Sequence, residues 1–278
     1  GTRDDLWAYV YKFNPIASTF DAEAVLDFQL NFQRGSANNA GGCFDPGHPA
    51  RFWHPWTSNV NSTDVINCSH DTLPQPILSD IEFDIDGSMI LGFMDRYGAQ
   101  GGINNNFPNG LNGTSEHADT AGDLLRAYYN RDTGEFELEA NGQAGPLTGA
   151  QNNGQGPVDT EGNGGEFYYG DVFIGHTEIA QGGLALRKGS GNVISTAMDA
   201  ANSVYTGGVR HFSNTDGSAN GSDGYTLYAG AIGYFGKGSG LGDLELLCDL
   251  APQQIGDYVW LDIDGDGIQD PDEPPLAN

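Results

Sequence analysis

Apolar and polar positions alternate with a short period through most of this chain, and the runs are brief. Residues 5–13, DLWAYVYKF, alternate as a strand that Asn14-Pro15 breaks. In residues 20–32, Val25, Leu26, Phe28, Leu30 and Phe32 end in period two, which predicts a second strand. The Ala, Glu and Leu of its first half leave a short helix as the competing reading. Four hairpins follow. Asp80-Ile81-Glu82-Phe83 and Met89–Phe93 flank an Asp86-Gly87 turn. Asp123–Tyr128 and Glu135–Leu138 flank Asp132-Thr133-Gly134, and Gly182–Leu186 and Asn192–Ala197 flank Gly189-Ser190-Gly191. Gly207–Phe212 and Tyr225–Gly230 form the fourth pair. Most of these units open on a small or acidic pair, then Leu or Ile, then a strand. Asp4–Tyr9 opens the series and Asp243–Leu247 closes it.

This pattern predicts an all-β chain. Irregularly spaced hairpin units with Gly-rich insertions, such as 104–120 and 141–165, fit the blades of a β-propeller. Residues 1–250 are therefore expected to form a hairpin-repeat, β-propeller-like domain, with a β-sandwich array as the alternative. Residues 34–76 carry no periodicity, and a long irregular insertion of this kind is usually functional or stapled. Cys43 and Cys68 flank it as a possible disulfide, worth about 3 kcal/mol for a loop of that length. Cys248 ends a hydrophobic run and is expected to be buried and free, or paired outside this chain. Trp53 and Trp56, with Phe44 and Phe52, offer either a ligand platform for carbohydrate or protein, or a small core beneath the loop.

Composition narrows the function classes. Eleven Lys and Arg against 38 Asp and Glu give a net charge of -27. Such a chain repels phosphate backbones and anionic membrane surfaces, so nucleic acid is excluded as a partner. Its carboxylates need metal ions or water around them, and extracellular calcium suits them. Glycine, 42 of 278 residues, is about twice its usual share and is interleaved with aromatic and β-branched residues, as in short strands joined by tight turns. No run is long enough to insert into a membrane. No signal peptide is present either, which suggests a mature fragment or part of a longer protein.

The clearest motif lies at residues 255–273, IGDYVWLDIDGDGIQDPDE. Asp262, Asp264, Asp266, Gly267 and Glu273 fit D-x-[DN]-x-[DN]-G-x5-E, with Ile268 at the backbone-carbonyl position and Asp270 at the ninth. This donor set points to Ca2+. The residues before it read as a strand and Pro271, Pro274 and Pro275 deny a following helix, so this is not a helix–loop–helix sensor. The stretch resembles the opening of the SdrD B-like domains of serine-aspartate-repeat adhesins. That resemblance implies the first strand and calcium loop of a β-sandwich stalk module over 255–278, after a 251–254 linker. Pieces such as SDIEFDIDGSMILGFMDR and FGKGSGLGDLELLC also resemble the propeller-like region that precedes B-type modules in large bacterial surface proteins.

Three further groups carry candidate chemistry. Asp5, Asp80, Asp123 and Asp243 recur at one place in successive units. They would either ring a channel around a second cation or, as we favour, bond their own local backbone N–H groups. Asp84 and Asp86 before Gly87 look like a shortened calcium loop, but a plain hairpin turn is the simpler reading. Glu166, Asp171, His176 and Glu178 cluster in sequence and are of the types that bind metal or run hydrolysis, yet their spacing fits no catalytic motif. The expectation is thus a non-enzymatic, secreted bacterial surface or matrix protein, calcium-stabilised, acting as adhesin, stalk or fibre subunit. Its partners would be copies of itself or other surface proteins and glycans. A glycan- or protein-binding module is the runner-up, and a secreted hydrolase the third reading.

Overall fold

A computed structural model describes residues 3–37, 47–56, 74–106, 115–118, 121–158, 164–219, 221–230 and 241–247. Cys43, Cys68, Cys248, Phe44 and the whole of 255–278, including Asp262, Asp264, Asp266, Ile268, Asp270 and Glu273, lie outside the described residues. Contacts divide the chain into Gly1–Glu245 and Leu246–Asn278. The first unit is all-β. Its strands are β1 (Trp7–Val10), β2 (Phe13–Asn14), β3 (Thr19–Phe20), β4 (Leu26–Gln29), β5 (Pro76–Phe83), β6 (Met89–Asp95), β7 (Gly102–Asn106), β8 (Ser115–Ala118), β9 (Asp123–Asn130), β10 (Glu135–Leu138), β11 (Gln143–Ala144), β12 (Leu147–Thr148), β13 (Ala180–Leu186), β14 (Asn192–Met198), β15 (Thr206–Ser213) and β16 (Gly224–Ala229). One short helix, α1 (Arg96–Gly101), follows β6. Among the described residues no helix is long and apolar enough to cross a membrane.

The four hairpins read from the sequence are all present. They build two four-stranded antiparallel sheets, ordered β10-β9-β6-β5 and β13-β14-β15-β16. Glycine sits where each of the first three turns needs a positive φ: Gly87, Gly134, and the Gly189/Gly191 pair. Residues 26–29 are strand β4, paired to β1, so the strand reading prevails over the helix there. Residues 243–247, by contrast, form no strand.

The first sheet is the middle layer, because β6 is apolar on both faces. Met89, Leu91 and Phe93 pack with Leu125 and Ala127 of β9 against Val10, Leu26, Phe28, Phe32 and Trp53. Ile90 and Leu124, on the opposite face, pack with Leu184, Val193, Phe212, Phe167 and Tyr168. A strand covered on both sides reads as a continuous apolar run, as β6 does. The second sheet meets this face through β13, whose seven residues are all buried. The backbones touch at two glycines. A Cβ on Gly92 would lie 2.3 Å from the Gly182 carbonyl oxygen, and one on Gly182 (φ +81°) would lie 2.5 Å from Phe93 C. Asp80 Oδ2 adds a tie by accepting from the Leu184 N–H at 2.7 Å.

This arrangement corrects the propeller expectation. The units that open at Asp80 and Asp123, which a propeller would place in successive blades, are β5 and β9 of one sheet, separated by β6. The other face of that sheet is covered by β1, β4 and Trp53 rather than by another blade. Among the described residues no ring of sheets closes around a channel.

Candidate metal centre

Between Thr148 and Ala180 the described residues form no strand; the backbone is held by scattered turns and a Phe173–His176 bridge. This segment carries Glu166, Asp171 and Glu178. One oxygen from each lies within 4.8 Å of the others. The residues are 2%, 1% and 0% exposed, respectively. Asp123, at the start of β9, is buried beside them and acts electrostatically on both glutamates. Glu139, just after β10, completes the group.

The members differ in how they are satisfied. Glu139 accepts from the backbone N–H groups of Arg126 at 2.8 Å and Phe167 at 2.9 Å. Glu166 Oε1 accepts from Asn153 Nδ2 at 2.9 Å and Gln155 Nε2 at 2.8 Å. Both oxygens of Glu178, Oδ1 of Asp171 and Oδ2 of Asp123 are buried with no donor group, and the Asp171 and Glu178 carboxyls meet each other at hydrogen-bonding range. Buried polar atoms are almost always paired, so this concentration calls for a physical cause.

Arginines lie close but are turned elsewhere. Arg34 stacks over Trp53 at 4.5 Å and donates through Nη1 to the Gly122 carbonyl at 3.1 Å. Arg210 donates to the carbonyls of Gly170 (3.2 Å) and Val172 (3.1 Å) and to Asn202 Oδ1 (2.7 Å). Neither forms an ion pair with Glu166, Asp171 or Glu178. Burial, reinforced by repulsion from Asp171, therefore drives Glu166 and Glu178 well above the ordinary carboxylate range. Burial raises Asp171 too, and burial with the Asp171 charge pushes Asp123 up to about 7.

His176 does not join the group, although it stands between Asp171 and Glu178 in sequence. Its Nε2 lies 3.5 Å from Asp199 Oδ2, and its Nδ1 meets the Ala37 carbonyl. The donor set is thus all oxygen, and the hydrolytic carboxylate–histidine grouping is split.

The other sequence candidates resolve as follows. Asp84 and Asp86 form the β5–β6 turn and both bind Arg126, at 3.0 and 2.9 Å, so a guanidinium takes the place a cation would need. Asp80 and Asp243 each accept from the N–H of the next residue, at 2.7 and 2.8 Å, which is the local bonding favoured above. They do not ring a channel. Asp80 faces Asp243, Asp123 faces Asp171, and Asp5 is exposed. Trp53 is a correction. It is fully buried and packs with Phe93 and Arg34, so it belongs to the core and cannot form a platform. Trp56 is 60% exposed, with Nε1 donating to the Pro76 carbonyl at 2.8 Å and Arg96 5.0 Å from its ring centre. A stripe that the sequence reading passed over lies nearby. Trp7, Tyr9 and Tyr11, on one face of β1 and its continuation, are about half exposed and stack with centroids 6.3 Å apart. Their period-two spacing was the available signal. Trp7, Tyr9, Pro55 and Trp56 help line a cleft of about 380 Å³.

No protein-family model matches the chain, and no solved structure matches it. Three curated relatives come from Dictyostelium discoideum. Colossin-B is 32% identical over 233 residues, which is 81% of this chain and 5% of that protein. Colossin-C is 29% identical over 284 aligned residues, covering 98% of this chain and 25% of its own. For Colossin-A the figures are 30% over 283 aligned residues, 97% and 2%. The chain therefore spans a quarter or less of the length of these relatives, and what it is similar to is a short portion of each of three colossins.

Proposed function

We propose that this chain is a non-enzymatic structural module of a large secreted or cell-surface protein, stabilised by calcium and serving as adhesin, stalk or fibre unit. The observation that carries this reading is the closure of the acidic centre. Glu178 is 0% exposed and Glu166 and Asp171 are at most 2% exposed, so no substrate reaches them. A general acid or base must come within hydrogen-bond reach of its substrate. Groups sealed this way suit holding a fold together. The similarity of nearly the whole chain to small fractions of long colossins supports a module's role within a longer protein. The 262–273 loop, as the start of a B-type module, supplies the calcium dependence and a joint to the next element. The partners are further copies or other surface proteins and glycans. Immuno-electron microscopy of intact source cells tests this. Label on the outer surface or in surrounding matrix, dispersed by chelator, is expected; label confined to the cell interior overturns it.

A second reading rests on the Trp7–Tyr9–Tyr11 stripe and Trp56. Exposed aromatic faces suit neutral sugars, and a charge of -27 disfavours acidic glycans. Glycan-array binding that disappears with Trp56→Ala and Tyr9→Ala favours it; an array without signal removes it.

A further inference from the structure

The acidic centre poses a problem of charge. Asp123, Glu139, Glu166, Asp171 and Glu178 act on one another through space. The guanidinium groups that act on Glu166 or Asp171 are those of Arg34, Arg51 and Arg210. Arg126 acts on Glu139 in turn, so the five carboxylates still outnumber the four guanidinium groups around them. Isolated carboxylates are not left ionised in an apolar interior; they are paired, protonated or bound to metal.

We propose that Glu166, Asp171 and Glu178, with Asp123 alongside, form a buried site for a divalent oxygen-seeking cation of calcium's size, separate from the 262–273 loop. Four observations converge. First, the donors are all carboxylate oxygens, and the one histidine of the segment is bound elsewhere. Hard cations take such ligands, whereas zinc and copper favour imidazole and thiolate. Second, Ca–O bonds of about 2.3–2.6 Å place opposite ligands up to about 5 Å apart, which accommodates oxygens within 4.8 Å. Third, both oxygens of Glu178 and Oδ1 of Asp171 are buried with no donor from the rest of the protein, these two carboxyls meeting each other, and Oδ2 of Asp123 is likewise without a donor. Asp123 comes from β9, so the unpaired oxygens are not confined to one loop. Fourth, Arg34 and Arg210 act on Asp171 only through space: their hydrogen bonds go to carbonyls and Asn202, and the Nε–H of each is buried without an acceptor.

The site also has a structural purpose. Its ligands tie the strandless 149–179 segment to the entrance of β13 and the start of β9. An ion there fixes that segment against both four-stranded sheets at once. The inference deepens the calcium-stabilised reading but uses different residues from the loop, so the two can fail separately.

Metal content decides it. The 278-residue chain is equilibrated with calcium, desalted and measured by inductively coupled plasma mass spectrometry, with binding followed by calorimetry. Glu178→Gln, nearly the same shape without the charge, is expected to hold one equivalent of calcium fewer than wild type. Asp264→Ala reports on the loop alone, and the double variant should lose both contributions. Asp171→Asn serves as the second variant should Glu178→Gln fail to fold by circular dichroism. Terbium bound in the Asp264→Ala background should show a long luminescence lifetime, as an ion shielded from water does. Wild-type calcium content in both folded carboxamide variants overturns the proposal, whatever Asp264→Ala does; protons then hold the carboxylates.

Discussion

Arg126→Met tests how the buried charge network holds the middle sheet. Arg126, on β9, is 1% exposed. Its Nη2 reaches Asp84 Oδ2 at 3.0 Å and Asp86 Oδ2 at 2.9 Å, and its Nη1 lies 3.5 Å from the Tyr168 hydroxyl. It thereby links the β5–β6 turn to the wall of the acidic centre. Methionine keeps much of the length and apolar stem but removes the charge. Asp84, whose side chain is 9% exposed, is then left buried without its cation. Breaking such a pair from one side costs about 3–5 kcal/mol. Asp86, at 38% exposure, is screened by water and adds little, about 0–1 kcal/mol. We expect a loss of about 3–4 kcal/mol. For a unit of this size each kcal/mol lowers Tm by about 2–4 °C, so differential scanning calorimetry should register a fall of roughly 6–16 °C. Adding Asp84→Asn should recover at least about 1 kcal/mol, because the stranded charge is gone. A loss under about 1 kcal/mol, or no recovery in the double variant, refutes the reasoning.

Other consequences can be measured alongside. Gly182→Ala places a methyl against Phe93 and Ser79 at a positive φ, costing about 1–2 kcal/mol in backbone strain and about 1–3 kcal/mol in overpacking; a urea titration showing less than about 1 kcal/mol contradicts the glycine contact between the sheets. Burial pushes Asp95 up to about 6, burial with the hydrogen bond to Asp243 pushes Asp80 up to about 7, and burial pushes Glu139 up to about 8. Each holds its proton more tightly folded than unfolded, so their stabilisation is complete below about pH 4 and is lost as pH rises through 6 to 8. In chelator, Tm measured from pH 5 to 8 should therefore fall, and a flat or rising profile tells against these assignments. Asp264→Ala should lower Tm in calcium and leave it unchanged in EDTA; equal effects in both buffers remove the loop from the account.

The sequence disclosed what is local and obscured what is distant. The hairpins were legible because each joins an apolar or alternating run to another across residues suited to a tight turn, with Gly87, Gly134 or Gly189 at positive φ in the first three. The recurring Asp-Leu or Asp-Ile pair reflects a shared local bond, with Asp80 and Asp243 each accepting the next N–H. It says nothing about where each copy goes, which is why β5 and β9 looked like parts of two blades. Glu166, Asp171 and Glu178 stood out as a group since the last follows the first by only twelve positions. Asp123, Arg34 and Arg210 join them from other elements, and no spacing rule announces that. His176 lies inside the sequence cluster but turns away, held by its bridge to Phe173 and drawn to Asp199. Trp53 and Trp56 differ by three positions and look alike in sequence; only the tertiary packing of Trp53 on Phe93 and Arg34 separates core from surface.

The central claim is that an excess of buried carboxylate charge is neutralised by a metal ion rather than by protons. Long-wavelength diffraction from crystals grown in calcium addresses it directly. An anomalous peak is expected, bonded at about 2.3–2.6 Å to oxygens of Glu166, Asp171 and Glu178. Featureless density there, with the carboxyls of Asp171 and Glu178 sharing a short hydrogen bond, would contradict it.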